Sequence, residues 1–207
     1  LLEHGYANFT NELSKFDIFH MYDSFKDKIA VWGKIQNDYL TKVKNIEQNR
    51  IIQVGSPRHD RYFSADKHKK NEHVLVCVTP PILIDYDSVD SRKYVLLEKM
   101  LRHVIESIKS SSSGIIVKDH PSQYRTLDVT SIINEIDSSI PVYKNQDIFE
   151  YLIDADIVIC FEFSTVLLEA MILKKPTILY QLKSQWIDED GEIALATNIV
   201  KNENDFE

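Results

Sequence analysis

His120-Pro121 and Ser164-Thr165-Val166-Leu167-Leu168-Glu169 each follow a short apolar run of strand character, Gly114 to Val117 and Ile157 to Cys160. The carboxyl ends of such strands are where an open α/β sheet opens its binding crevice. The first segment supplies an imidazole that titrates near neutrality, suited to donating to a phosphate oxygen or protonating a leaving phosphate. Pro121 keeps His120 extended, out of the helical region and at the rim. Lys118, two residues earlier, is a second candidate cation. The other segment supplies the hydroxyls of Ser164 and Thr165 together with the free amides and positive dipole of a helix N-terminus, which form an anion site. Glu169 adds a carboxylate about one helical turn further on. The set suits a nucleotide diphosphate, with its two negative groups and its ribose diol.

Each of these signals also has a plain structural reading. An isolated His-Pro is equally a loop histidine without a ligand. Ser164 can serve simply as an N-cap, a role that contributes about 1 kcal/mol and is compatible with phosphate binding. Glu169 is harder to explain, because its helix is otherwise Val166, Leu167, Leu168, Ala170, Met171, Ile172 and Leu173. A carboxylate in that setting needs a partner, and its spacing from Ser164 is not that of a capping box. Acceptance from a ribose 2′,3′-diol would satisfy it; exposure on the solvent side of the helix is the alternative.

His4-Gly5 ends an apparent strand in the first half, and across a cleft His4 would suit a general base for an acceptor hydroxyl. As a lone dipeptide it is equally a loop. Arg58 and Thr79 are further candidates for the phosphate; Arg58 can instead pair with Asp60, and that structural reading is preferred. His68, His73 and His103 lack metal-ligand spacing, so a zinc site is not expected. No GxxxxGK[ST] and no GxGxxG occurs, which argues against ATPase and dehydrogenase functions.

The elements that must position these residues alternate from His73 onward between short apolar runs and longer helical ones, the pattern of βαβ units and a parallel sheet. Strands are expected at Val74 to Thr79, Gly114 to Val117, Pro141 to Tyr143, Ile157 to Cys160 and Thr177 to Tyr180. Helices are expected at Ser91 to Lys109, Asp128 to Ile136, from the cap Asp147 through Ile153, and from Ser164 to about Leu173. In the first of these helices Val95, Leu96, Met100, Leu101, Val104, Ile105 and Ile108 are expected to form one apolar face. Strands that are apolar throughout imply a sheet covered on both sides. The fold class is therefore α/β, with a doubly wound, Rossmann-like domain over residues 73–207. Residues 1–60, with apolar runs at Phe16 to Met21, Ile29 to Trp32 and Ile51 to Val54 and a helix at Asn37 to Val43, read as the end of a second Rossmann-like domain. The lysine-rich residues 61–72 read as the linker.

With 207 residues, 43% hydrophobic and 27% charged, the composition is globular. A net charge of -8 disfavours nucleic acid as a partner. No apolar run approaches the roughly 18 residues of a membrane helix. A cytoplasmic protein is the default expectation. Cys77 and Cys160 lie inside apolar runs and read as buried thiols without a disulfide. The abrupt start at Leu1-Leu2-Glu3 and the stop at Asn204-Asp205-Phe206-Glu207 suggest a fragment.

The chain resembles GT-B-fold transferases, nearest to the CDP-glycerol glycerophosphotransferase and capsule-polysaccharide transferase group. The resemblance is carried by His4-Gly5, Val54-Gly55-Ser56-Pro57-Arg58-His59-Asp60, Val117-Lys118-Asp119-His120-Pro121, and Asp154 to Cys160 through Ser164-Thr165-Val166-Leu167-Leu168-Glu169-Ala170. It implies a glycosyltransferase that moves a sugar or alditol phosphate from a nucleotide-diphosphate- or CMP-linked donor to a surface polysaccharide or glycolipid acceptor. It also implies that no cofactor or metal is bound. His120, Lys118, Ser164 and Thr165 would hold the donor phosphates, Glu169 the ribose, and His4 would be the catalytic base. Wall-polymer transferases tend to carry Asp-Tyr-Ser-Ser before the last helix and an Asp within it. Glu162-Phe163-Ser164-Thr165 and Glu169 depart from that pattern and lean toward a sugar nucleotide. Action at the inner face of the membrane is compatible with a lipid-linked acceptor. Two alternatives share the fold: a non-hydrolysing UDP-sugar 2-epimerase, disfavoured because no glycine lies within Phe161 to Thr165, and a non-catalytic nucleotide-binding or interaction domain.

Overall fold

The computed structural model describes residues 27–65, 73–79, 91–110, 114–121, 127–181, 192–202 and 205. Its main body is a sheet of six parallel strands: β3 (His73–Val78), β4 (Ile115–Asp119), β5 (Val142–Tyr143), β6 (Ala155–Phe161), β7 (Thr177–Tyr180) and β8 (Asn198–Val200). Their spatial order is β5-β4-β3-β6-β7-β8. The chain winds outward from β3 in one direction, then returns to lay β6 on the other side of β3. This is the doubly wound order, and its topological switch lies between β3 and β6.

Helices α3 (Ser91–Lys109) and α4 (Val129–Asp137) follow β3 and β4, α5 (Ile148–Asp154) precedes β6, α6 (Thr165–Ile172) joins β6 to β7, and the short α7 (Glu192–Leu195) leads into β8. Successive side chains of a strand point to opposite faces, and the two cores divide on that alternation. Val74, Val76 and Val78 of β3 join Leu97, Leu101, Val104, Ile105, Ile132 and Ile133 on one face. Leu75 and Cys77 join Leu152, Leu167, Ala170 and Leu173 on the other. Both faces being covered is why the strands are apolar throughout.

One helical face differs from expectation. Val95 and Leu96 are exposed, whereas Leu97 is wholly buried. Leu97, Met100, Leu101, Val104, Ile105 and Ile108 follow the i, i+3, i+4, i+7 rhythm of a single stripe, and Val95 and Leu96 fall outside its phase.

The first half contributes a smaller β-α-β unit. Strands β1 (Ile29–Val31) and β2 (Ile51–Gln53) pair in parallel, with Ile29 opposite Ile51, and helix α1 (Lys34–Lys42) lies between them in sequence. Ile29, Val31, Tyr39, Leu40 and Ile51 form its own core. At Gly55 the backbone takes φ 73°, a left-handed value that glycine adopts at little cost. From there the chain runs through a 3-10 turn at Pro57–His59 into the short α2 (Asp60–Phe63).

This last segment corrects the expected linker. Tyr62 is fully buried and packs in the core of the six-stranded body, with Ala65 beside it. Its ring stands edge-on to Phe149 at 5.0 Å. Arg61 lies over Phe149 at 4.7 Å and pairs with Asp147, Nη2 to Oδ1 at 2.8 Å. Burying an aromatic ring contributes about 2 kcal/mol, so residues 61–65 are an anchor onto the second body. The expected N-terminal strand at Phe16 to Met21 and the rest of the linker, 66–72, lie outside the described residues.

Candidate functional site

At the carboxyl end of the sheet, over the switch between β3 and β6, lies a cleft of about 520 Å³. Each strand delivers its next residues there. Val78 is level with Asp119 of β4 and Phe161 of β6; Thr79, His120 and Glu162 therefore follow at the same height. Thr79, Lys118, His120, Pro121, Lys144 to Ile148, Ser164 and Thr165 line the cleft, and Arg58 reaches it from the first half. The structure thus brings together His120, Lys118, Ser164, Thr165, Arg58 and Thr79, residues separated by up to 107 positions in the chain.

Ser164 is the N-cap of α6, its Oγ accepting the amide of Val166 at 3.4 Å. The chain turns from β6 into α6 through Glu162, a buried non-glycine residue at φ 60°. Holding a side-chain-bearing residue in that region costs of order 1 kcal/mol and is commonest where geometry at a site is constrained.

Arg58, Lys118 and Lys144 bring positive charge to the cleft, which Asp119 and Asp147 also line. Lys118 is largely buried, and its ammonium donates to the carbonyls of Asp119, at 3.1 Å, and Lys144. Lys144 lies 3.5 Å from Asp119 Oδ2. Burial, reinforced by the charges of Lys118 and Lys144, pushes the His120 imidazole below its ordinary pKa. This favours the neutral imidazole, and a bound anion, offsetting the two lysines, would raise its proton affinity. Asp147 is committed elsewhere: it caps α5 by accepting the Phe149 amide at 3.1 Å and holds Arg61, and that arginine is the first cause of its lowered pKa.

Glu169 has a partner that the sequence did not suggest. It is wholly buried, and Arg58 Nη2 approaches its Oε1 at 2.9 Å, as an ion pair off the axis of a directed hydrogen bond. His59 Nε2 stands 3.6 Å from the same oxygen. The partner that the structure gives this carboxylate is a guanidinium from the first half, and Glu169 is not among the residues that line the cleft. Arg58 likewise pairs with Glu169, where the sequence suggested Asp60. Burial holds the His59 pKa down, although Glu169 opposes that effect. The Tyr62 hydroxyl is pushed well up, first by burial and then by Glu169.

Lys144, His59 and Tyr62 were not singled out from the sequence. Lys144 was accessible to the strand-end rule, since it directly follows the third expected strand. His59 lies in the Val54 to Asp60 stretch that carries the resemblance but has no role there, and nothing local marks Tyr62; both reach Glu169 across more than one hundred residues.

A second cleft, of about 440 Å³, lies where the small β-α-β unit faces α6. Trp32, Ile35, Phe63, Leu168 and Ile172 line it, with His59 at its base edge-on to Trp32 at 5.1 Å. His4 lies outside the described residues. Among the described residues no three His, Cys, Asp or Glu side chains cluster as metal ligands, and no helix is long and apolar enough to cross a membrane. Cys77 and Cys160 are register partners on β3 and β6, both buried and free. The neighbouring Cys160 and then burial push the Cys77 thiol well up.

A family model described as "LIC12162 family transferase" matches residues 2–190. The teichoic acid glycerol-phosphate primase of Bacillus subtilis is 26% identical over 188 residues, covering 87% of this chain and 47% of the primase. The chain thus spans about half the length of that curated relative. Among solved structures, the accessory secretory protein 1, 2 and 3 complex of Streptococcus pneumoniae aligns over 96% of this chain and 38% of its own, with 11% identity and a TM-score of 0.51, which shows a shared fold. The pneumococcal O-GlcNAc transferase GtfA, in complex with UDP and GlcNAc, aligns over 86% of this chain and 36% of its own, with 16% identity and a TM-score of 0.47. The resemblance to transferases agrees with the family match, and the α/β fold class agrees with the parallel sheet and the fold shared with the secretory-protein structure.

Proposed function

Since the chain belongs to the LIC12162 family of transferases, we propose that the cleft over β3 and β6 is its donor site, binding a nucleotide-activated sugar or alditol phosphate through the diphosphate. The observation that carries this reading is the convergence of four strand ends and Arg58 on one cleft that pairs cations with the N-terminus of α6. Lys118, Lys144 and Arg58 supply fixed positive charge, Ser164 and Thr165 hydroxyls and backbone amides, and His120 a neutral imidazole beside the lysines. As charge develops on the departing phosphate, the His120 N–H and the ammonium groups stabilise it without reorganising, the largest kind of contribution available to such a site. The acceptor hydroxyl attacks the donor carbon or phosphorus, and its proton passes to a base. His4 is the candidate for that base.

The acceptor is proposed to be a cell-surface polysaccharide, teichoic-type polymer or glycolipid, with the transfer taking place at the inner face of the membrane. The name of the primase relative supports a wall-polymer context. The Glu162-Phe163-Ser164-Thr165 turn supports a sugar nucleotide as donor. Calorimetry against CMP, CDP, UDP and GDP is the deciding measurement: micromolar binding of one diphosphate is expected, with at least tenfold weaker binding by His120→Ala. Failure of all four to bind would remove the donor-site reading and favour a non-catalytic domain.

A further inference from the structure

We infer that Glu169 is a positioning residue for Arg58, whose guanidinium it anchors by one edge so that the remaining N–H groups face the donor's diphosphate. The inference rests on the donor-site reading and adds a role for a residue that does not itself touch the ligand. Glu169 is 0% exposed in an otherwise apolar stretch of α6, whereas the Arg58 side chain is 50% exposed and lines the cleft. The guanidinium thus has one end in the interior and the other in the binding space. Arginine carries five N–H donors in a rigid planar fork, and Nη2 is the nitrogen that meets Glu169, at 2.9 Å.

A buried carboxylate is a costly way to stabilise a helix, since an apolar residue of similar volume usually does as well. Its value lies in where it puts the cation. Glu169 sits one turn into the helix whose N-cap is Ser164, so a single rigid element carries both the amides that receive a phosphate and the anchor that aims Arg58 at it. Arg58 itself arrives from the segment after Gly55, pinned by Tyr62 in the core and by Arg61 on Asp147. His59 Nε2 stands 3.6 Å from the same carboxylate oxygen. The ion pair therefore locks the first half of the chain to the donor helix at the point where both meet the ligand.

Calorimetric titration of the 207-residue chain with inorganic pyrophosphate, and with CDP and UDP, separates the roles. Pyrophosphate has no ribose. If Glu169 acts through Arg58, Glu169→Gln weakens pyrophosphate binding about tenfold, the scale of one charge-assisted hydrogen bond. Arg58→Ala has a similar effect, and the double variant is no weaker than Arg58→Ala alone, because two residues acting through one contact are not additive. Glu169→Asp, which keeps the charge and withdraws it by one methylene, carries the same expectation if the Gln variant does not fold. Unchanged pyrophosphate affinity with weakened nucleotide affinity would overturn the inference and return Glu169 to the ribose, as would losses that multiply in the double variant. A wild-type chain that bound neither pyrophosphate nor nucleotide would instead overturn the donor-site reading, and this inference with it.

Discussion

The two clefts share helix α6 yet use opposite chemistry. The cleft over the six-stranded sheet takes the polar N-terminus of the helix, with Ser164 and Thr165, and surrounds it with Lys118, Lys144 and His120. The cleft against the small β-α-β unit takes its flank, Leu168 and Ile172, and meets it with Trp32, Ile35 and Phe63. Consecutive residues divide between them: Arg58 lines the first, His59 the second, and both converge on Glu169. A helix can serve an anion at one end and an apolar surface along its side because its dipole and free amides act only within the first turn. The two halves of the chain are therefore joined by a carboxylate that faces neither cleft.

If that division is right, substitutions in one cleft should leave the other's property untouched. Lys118→Ala is expected to have the largest effect. It removes a cation and frees the carbonyls of Asp119 and Lys144, weakening diphosphate binding more than tenfold, or by more than about 1.4 kcal/mol. The loss should shrink at high salt, which calorimetry at two ionic strengths checks. An unchanged affinity would mean that the lysine only braces its loop.

Trp32→Ala tests the apolar side. It removes the edge-on contact with His59 and is expected to cost about 1 kcal/mol of stability, read as a shifted denaturant midpoint. Nucleotide affinity should stay within about twofold, as expected for a change that leaves the phosphate contacts in place. A large loss of nucleotide binding would erase the distinction between the clefts.

The smallest effect expected is one of pH. His120 and His59 are both held below their ordinary pKa, first by burial. Protonation then favours the unfolded chain, so their stability contribution is complete above about pH 6.5, the unfolded value, and is lost as pH falls through the lower folded values. A bound diphosphate has the opposite influence on His120. Diphosphate affinity should therefore rise severalfold relative to His120→Asn as pH is lowered from 7.5 toward 6, while unliganded stability falls. Parallel pH profiles for the two proteins would place His120 outside the ligand's field.

Much of the fold was legible because its signals are local. Thr177–Tyr180 and Ser91–Lys109 stand where the apolar runs and helical spacing put them, and Asp128, Asp147 and Ser164 cap the helices that follow them. Strand β8 was missed: Asn198-Ile199-Val200 is short and sits at the sheet edge, where pairing with β7 supplies what so brief a run does not signal. Arg61 and its lysine-rich continuation look solvated and so read as a linker, while the residue that decides the matter, Tyr62, is a single ring buried by residues distant in sequence, Phe149 among them.

The site divides the same way. That His120, Lys118, Ser164 and Thr165 would stand at strand ends followed from the sequence alone, since strand-to-loop boundaries are set by residues a few positions apart. The sequence also determined that Glu169 required a partner, because a carboxylate in an apolar helix cannot go unsatisfied. Which partner it has was decided only by tertiary structure. Arg58 and Glu169 lie 111 residues apart, and no periodicity reaches that far. They meet because the doubly wound sheet brings α6 under the chain that descends from Gly55, and because Tyr62 docks that chain in the core beside it.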